Sequence, residues 1–303
     1  MKGDEPGKVV VITGATGGHG AAVARALSEA GYLLVLNSPS MEKLSSLAAE
    51  LTGPCTVVAG SLTDESLPET LLYAALDRFG HCDVCINNGA LFEAGIIETV
   101  DIERLISMVK VNVEGTVRVA YVFLKHFVSE GAGHLVNVSH GVGSAARPTA
   151  FAATQSAIEI LSDALATELD GTDINMTSIK PGLVKTGLHA QWEIAPANHS
   201  GTVEPLDPED FARMVLFILG QASPCTEEAT RVESPVEEPV EEATVSEPDP
   251  NDEPAAEADY RRSRVARSAR ASFGLFAGGG RSGAGAGHRA ARVVFRGFLR
   301  GRG

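Results

Sequence analysis

Across residues 8–220, short apolar runs rich in β-branched side chains alternate with longer stretches whose apolar positions recur at helical spacing. The pattern predicts strands over residues 8–12, 33–36, 56–60, 84–87, 134–138 and 174–179, and helices over 20–30, 41–51, 67–79, 102–128, 149–169 and 208–219. Near-continuous apolar strands bounded by amphipathic helices imply a parallel sheet covered on both faces. Right-handed crossovers make that an α/β, Rossmann-type doubly wound sheet. A span of this length buries a core without help from disulfides or metals.

The rhythm stops near residue 226. Residues 233–254 read ESPVEEPVEEATVSEPDPNDEP, with Pro-Val-Glu-Glu beginning at both Pro235 and Pro239. Such a segment buries too little apolar area to offset its chain entropy. The expected organisation is therefore a nucleotide-binding domain over 5–232, a disordered acidic linker over 233–259, and an Arg/Gly/Ala-rich tail over 260–303 without a packed core. A closing strand for the sheet has one poor candidate, residues 226–233.

Charge sharpens this division. Of 303 residues, 44% are apolar and 21% charged, and the formal net charge of −14 averages unlike pieces: −13 over residues 1–226, −12 over 227–259 and +11 over 260–303. The negative first piece would repel nucleic acid. In the tail, Arg289, Arg292, Arg296 and Arg300 share one helical face. That face suits an anionic membrane surface or, as an Arg/Gly arm, RNA. A solvated tail, an extension without function, and an arm folded back on the acidic linker are the alternatives, and near-cancellation of the two charges favours the last. Apolar runs are too short to span a bilayer. The polar start from Met1 to Lys8 offers no secretory signal. Four cysteines with no framework fit a reducing compartment, so a cytoplasmic protein without a transmembrane span is expected.

The strongest local motif is Thr13-Gly14-Ala15-Thr16-Gly17-Gly18-His19-Gly20, which follows the first strand and opens the first helix. Gly14 permits the tight turn, Gly18 lets backbone amides approach a pyrophosphate, and Gly20 allows close helix–strand packing. The helix N-terminus adds partial positive charge.

This loop resembles the TGxxxGxG of the short-chain dehydrogenase/reductase family. Asn87-Asn88-Gly89-Ala90, Val111-Asn112-Val113-Glu114-Gly115, Val136-Asn137-Val138-Ser139 and Pro181-Gly182-Leu183-Val184-Lys185-Thr186 are similar to further family stations in the same order. The resemblance implies an NAD- or NADP-binding oxidoreductase acting on a small alcohol or carbonyl. It places cofactor contacts at Gly14, Thr16, Gly18, Gly20, Ser38, Ser61, Asn88, Gly89, Pro181, Gly182, Val184 and Thr186. Ser61 stands where the family has an aspartate, and Gly17 where it has a basic residue. Residues 36–40 (Leu-Asn-Ser-Pro-Ser) carry neither the acid that binds a ribose 2′-OH nor the arginine that binds a 2′-phosphate. Weakened affinity and little discrimination between NAD and NADP are expected.

The family's catalytic residues are a tyrosine, a lysine four residues on, a serine and a helical asparagine. Lys⁺ stabilises the phenolate of the tyrosine, which acts as general acid/base. Here the matching helix reads Phe151-Ala152-Ala153-Thr154-Gln155, so phenylalanine and glutamine occupy the tyrosine and lysine positions. Asn112 alone matches outright. Ser139-His140 stands where relatives carry two serines, so either Ser139 takes the role or His140 has replaced it. The stretch between His140 and Phe151 is shorter than the family's, and it carries Ser144 and Arg147. His140 is chemically competent to replace the missing acid, and the alternative is a loop histidine with no special role. Two functions remain open: an oxidoreductase with altered or impaired chemistry, and an inactive nucleotide-binding relative serving as scaffold or regulator.

Cys82-Asp83-Val84-Cys85 is a CxxC that reads as redox dithiol, half a metal site, or two core residues at the entrance to a strand. No second pair exists to complete a metal site. Residues 187–205 correspond to the family's substrate loop and suit either a lid or a plain exposed loop. The helices over 102–128 and 149–169 carry apolar residues on more than one face, and relatives pair them across a dimer axis, so a homodimer is expected, with wholly internal packing of those faces as the alternative.

Overall fold

Val9, Val10, Val11 and Ile12 form the central strand β1 (Val9–Ile12), and all four side chains are fully buried. Successive residues of a strand point to opposite faces. Val10 and Ile12 accordingly join one apolar layer, and Val9 and Val11 join the other. The protein is described by a computed structural model covering residues 7–95, 97–140, 149–181, 206–221 and 230–232.

The chain continues through α1 (Gly18–Glu29), β2 (Leu33–Ser38), α2 (Met41–Glu50), β3 (Cys55–Ala59), α3 (Leu67–Phe79) and β4 (Val84–Asn87). There follow α4 (Ile102–Val109), a π-helical turn (Lys110–Gly115), α5 (Thr116–Glu130), β5 (Gly133–Val138), α6 (Thr149–Glu168), β6 (Ile174–Pro181), α7 (Pro208–Leu219) and β7 (Thr230–Val232). All strands pair in parallel, in the order β3-β2-β1-β4-β5-β6-β7. This is the expected doubly wound sheet. Leu27 of α1, Leu44 of α2 and Phe211 and Val215 of α7 fill one layer. Leu71 of α3, Phe123 and Phe127 of α5 and Leu165 of α6 fill the other. Strand order reverses between β1 and β4, and in such sheets ligands bind beyond the C-terminal strand ends at that point.

Two elements differ from the periodicity. The predicted single helix over 102–128 is interrupted by the π turn, which accommodates one extra residue where Asn112 turns inward and is 2% exposed. Gly115 ends that turn against Leu62, and a Cβ there would lie 2.7 Å from the Leu62 carbonyl oxygen. Of the candidate closing strand, residues 230–232 pair with β6 at Ile179–Pro181.

Candidate functional site

The glycine loop leaves β1 and meets the end of β4. Gly14 has φ +63°, and a Cβ on it would come within 2.6 Å of Gly89 Cα. A side chain is therefore excluded by both backbone conformation and space. Gly20 is constrained by space alone, since its Cβ would fall 2.3 Å from Gly14 O. The Thr13 hydroxyl receives the backbone N–H groups of Asn88 and Gly89, each at 3.0 Å. Asn88 Nδ2 in turn donates to Thr13 O at 3.1 Å and Gly14 O at 3.3 Å. Gly17 and Gly18 are exposed at the start of α1. No side chain caps that helix, and its first turn holds no acid, so its leading N–H groups are open to an anion.

The loop is tied to β2 as well. Thr16 Oγ1 lies 2.6 Å from Ser38 Oγ, and Ala15 N donates to Asn37 O at 2.8 Å. Asn37, a polar residue inside an apolar strand, spends its amide on the carbonyls of Val58 and Gly60. Ser61, just past β3, pairs with Thr63 at 2.8 Å. Beside Thr16, a cavity of 220 Å³ opens between α1 and α2, lined also by Arg25, Lys43, Ser46 and Glu50. Arg25 is engaged by Glu50 at 2.7 Å. Lys43 thus brings a base toward the end of β2, which the local stretch after that strand could not reveal because the residue belongs to the next helix.

At the end of β5, Ser139 is fully buried, and its Oγ has no hydrogen-bond partner among the described residues. His140 is 8% exposed, and its Nε2 approaches Asn88 O at 3.1 Å. Its ring stacks on His19 of the glycine loop, centroids 5.4 Å apart and planes inclined by 23°. His19 also meets Phe211 of α7 at 4.8 Å. The glycine motif marked His19 only as a variable position, so its contact with His140 was invisible in sequence.

Asn112 is held by a reciprocal pair with Leu91: Leu91 N donates to Oδ1 at 2.7 Å, and Nδ2 donates to Leu91 O at 2.9 Å. Nδ2 also reaches Thr154 Oγ1 at 3.1 Å. Gln155 Nε2 donates to the same hydroxyl at 3.2 Å, while Gln155 Oε1 accepts the backbone N–H of His140 at 2.7 Å. Phe151 is 1% exposed and packs with Phe92 and Met108 in a small apolar cluster. The structure thus brings Asn112, His140 and Gln155 together through Thr154, a residue with no evident role in sequence. Pro181 ends β6 and is buried. Gly182, Val184, Thr186, Ser144, Arg147, the candidate lid at 187–205 and the whole acidic linker and tail lie outside the described residues.

Burial pushes the Cys82 thiol up to about 12, with the Asp83 carboxylate adding to the effect. Burial, then Cys82, holds the fully buried Cys85 well above the ordinary thiol value as well. These are core thiols, unsuited to metal or disulfide exchange. Among the described residues no group of three or more His, Cys, Asp or Glu side chains is arranged to hold a metal ion. No described helix is long and apolar enough to cross a membrane.

Residues 8–196 match the family model described as short chain dehydrogenase. An uncharacterized oxidoreductase of Staphylococcus epidermidis is 31% identical over 218 residues, which is 71% of this chain and 92% of that protein. One from Staphylococcus aureus is 32% identical over 219 residues, with the same coverage. Among solved structures, an alcohol dehydrogenase of Thermococcus sibiricus complexed with 5-hydroxy-NADP is 27% identical with a TM-score of 0.65, covering 75% of this chain and 96% of its own. A 3-ketoacyl-(acyl-carrier-protein) reductase of Brucella melitensis complexed with NADH is 25% identical with a TM-score of 0.69, covering 75% and 97%. The match to the family model, spanning the glycine loop through the sixth strand, settles the kinship: the chain belongs to the short chain dehydrogenase family of oxidoreductases.

Proposed function

We propose that this chain binds NAD or NADP at its glycine loop, and that its chemistry on a small alcohol or carbonyl group is impaired. The observation that carries the reading is the fate of the two family positions: Gln155 has both ends of its amide engaged, and Phe151 is buried among apolar side chains. Neither supplies a titratable proton or a charge to tune one.

The residues fit a dinucleotide. The uncapped start of α1 and the exposed Gly17 and Gly18 suit its pyrophosphate. Asn88 Oδ1, buried and without a partner among the described residues, offers an acceptor beside the loop. Thr16, Ser38 and Ser61 border the adenosine side, and Lys43 offers a cation there to a 2′-phosphate. When bound, the nicotinamide supplies hydride chemistry. Asn112, Ser139 and His140 are the polar groups at its reactive end. His140 is the one candidate acid/base among them.

The second reading, an inactive nucleotide-binding scaffold or regulator, is favoured by the contact of His140 Nε2 with a backbone carbonyl. Titration with NADH and NADPH by fluorescence, followed by turnover on a carbonyl panel, separates the two. Binding without turnover removes the enzyme. Turnover abolished by His140→Ala removes the scaffold and identifies the acid. Absence of binding to either dinucleotide would sink both.

A homodimer accompanies this reading. Ile102, Ile106 and Val109 expose one apolar stripe of α4, and Tyr121 and Val128 of α5 are exposed as well. A second copy of the chain is the occupant expected, and sedimentation of the Ile106→Asp variant as a monomer from a dimeric wild type is the check. The domain is placed at 5–232, with 233–259 as acidic linker and 260–303 as tail. Deletion after residue 232 should leave its melting transition unchanged, and a large loss would overturn that division.

A further inference from the structure

The position of the family lysine has taken on different work. Gln155 Oε1 accepts the backbone N–H of His140 at 2.7 Å, fifteen residues earlier in the chain. Its Nε2 donates to Thr154 Oγ1, which also receives Asn112 Nδ2 and donates to Phe151 O at 2.7 Å. Asn112 is fixed in turn to both backbone groups of Leu91, and His140 Nε2 reaches Asn88 O. One continuous hydrogen-bonded path therefore runs from the loop after β4, through the π turn and α6, to the end of β5, and back to the β4 end. Gln155 and Thr154 are 4% and 3% exposed, so water does not substitute for these partners.

Only a side chain with an acceptor satisfies the His140 N–H as it is now placed. A lysine ammonium offers three donors and no acceptor. It would face a buried N–H with another donor, leaving that N–H unsatisfied. We infer that Gln155 is a positioning residue: its amide fixes the backbone of His140, and through it the His140 imidazole against Asn88 and His19, at the nicotinamide end of the site. This inference rests on the dinucleotide-binding reading for its functional consequence, though not for the contact itself.

Four proteins test it: wild type, Gln155→Met, which keeps length and apolar bulk without an acceptor, Gln155→Lys, and Gln155→Glu, which keeps an acceptor toward His140. The measurements are hydrogen exchange of the His140 backbone amide by NMR and the affinities for NADH and NADPH by fluorescence. Expected is at least a tenfold faster His140 exchange in Gln155→Met and Gln155→Lys, with protection retained in Gln155→Glu. Dinucleotide affinity should fall about tenfold in the first two and stay within about threefold of wild type in the third. A merely structural role would raise exchange across the whole domain and would not be rescued by glutamate. Unchanged His140 exchange in Gln155→Met overturns the inference, as does an unprotected His140 amide in the wild type should the variants fail to fold. A protected His140 in a wild type that binds neither dinucleotide sinks the cofactor reading and leaves the contact standing.

Discussion

The ring of Phe151 meets Phe92 edge-on, with centroids 4.9 Å apart and planes inclined by 69°. Met108 completes the cluster, and Phe151 is almost wholly removed from solvent. The aromatic pair thus occupies the position where the resemblance implies a proton-donating tyrosine, and neither side chain carries a polar atom. A phenol introduced there would bury its hydroxyl among apolar neighbours, which costs about 1–3 kcal/mol when no partner is found. Phe151→Tyr should lower the melting midpoint. Combined with Gln155→Lys, it should gain no carbonyl turnover, which a reductase assay with both dinucleotides would measure. Recovered turnover in the double variant would show that the two side chains alone had been lost.

Gly20 allows α1 to start against the loop it follows. A Cβ at this position would sit 2.3 Å from Gly14 O and 2.8 Å from Ala15 Cα, both backbone atoms that cannot swing away. Gly20→Ala should therefore destabilise the domain by about 1–3 kcal/mol, as overpacking does. It should also weaken dinucleotide binding more than tenfold, because the same displacement moves the N–H groups that face the phosphates. Calorimetry and fluorescence titration check the two effects separately.

Lys43 lines the cavity beside Thr16, and its neighbour there, Arg25, is paired with Glu50. An ammonium in that place attracts a 2′-phosphate and has nothing comparable to attract in its absence. Lys43→Ala should cost NADPH about fivefold in affinity, roughly 1 kcal/mol for an exposed charge contact, and leave NADH unchanged. Equal losses for both would remove Lys43 from the site.

His134 opens the interior part of β5 and lies 2.8 Å from Thr177 Oγ1 through Nε2. Burial, with the Lys8 ammonium adding to it, holds its pKa down to about 4. The unfolded chain returns the ring to about 6.5. Above that value both states are neutral and the contribution to stability is fully present. As pH falls, the unfolded state takes up a proton first, so stability drops from about pH 6.5 and is lost by the time the folded pKa is passed. A loss on the order of 3 kcal/mol is expected across that window. His134→Gln should flatten this part of the acid unfolding curve, and an unaltered slope would assign it to other groups.

Cys82 and Cys85 carry thiols whose ionisation is suppressed by burial, whereas Cys55 is half-buried with a smaller increase. The thiolate is the reacting species. Native alkylation followed by peptide mass spectrometry should modify Cys55 ahead of Cys82 and Cys85, which should react only as the domain unfolds. Fast modification of either would reopen the redox reading of the CxxC.

Much of the fold is local and was legible. Strands such as Val84–Asn87 and helices such as Leu67–Phe79 and Pro208–Leu219 follow the burial pattern residue by residue, because a strand covered on both faces must be apolar throughout. The glycine loop was legible for a similar reason: Gly14 and Gly20 answer to steric demands that no other residue meets. The π turn was not legible, since apolar spacing through Lys110–Gly115 continues a helix and the extra residue exists to bring Asn112 inward against Leu91.

The sequence by itself determined that a nucleotide fold is present, and that phenylalanine and glutamine stand at positions 151 and 155, where the resemblance implies tyrosine and lysine. Only the tertiary structure decided what those two residues do. Phe151 finds Phe92 and Met108, Gln155 finds the His140 amide, and His19 finds the His140 ring, each across elements distant in sequence. Side-chain periodicity encodes which face of an element is buried. It carries nothing about which atom of another element waits there, because the pairing of β4 with β5 and the seating of α6 against β6 and the end of β5 place those partners.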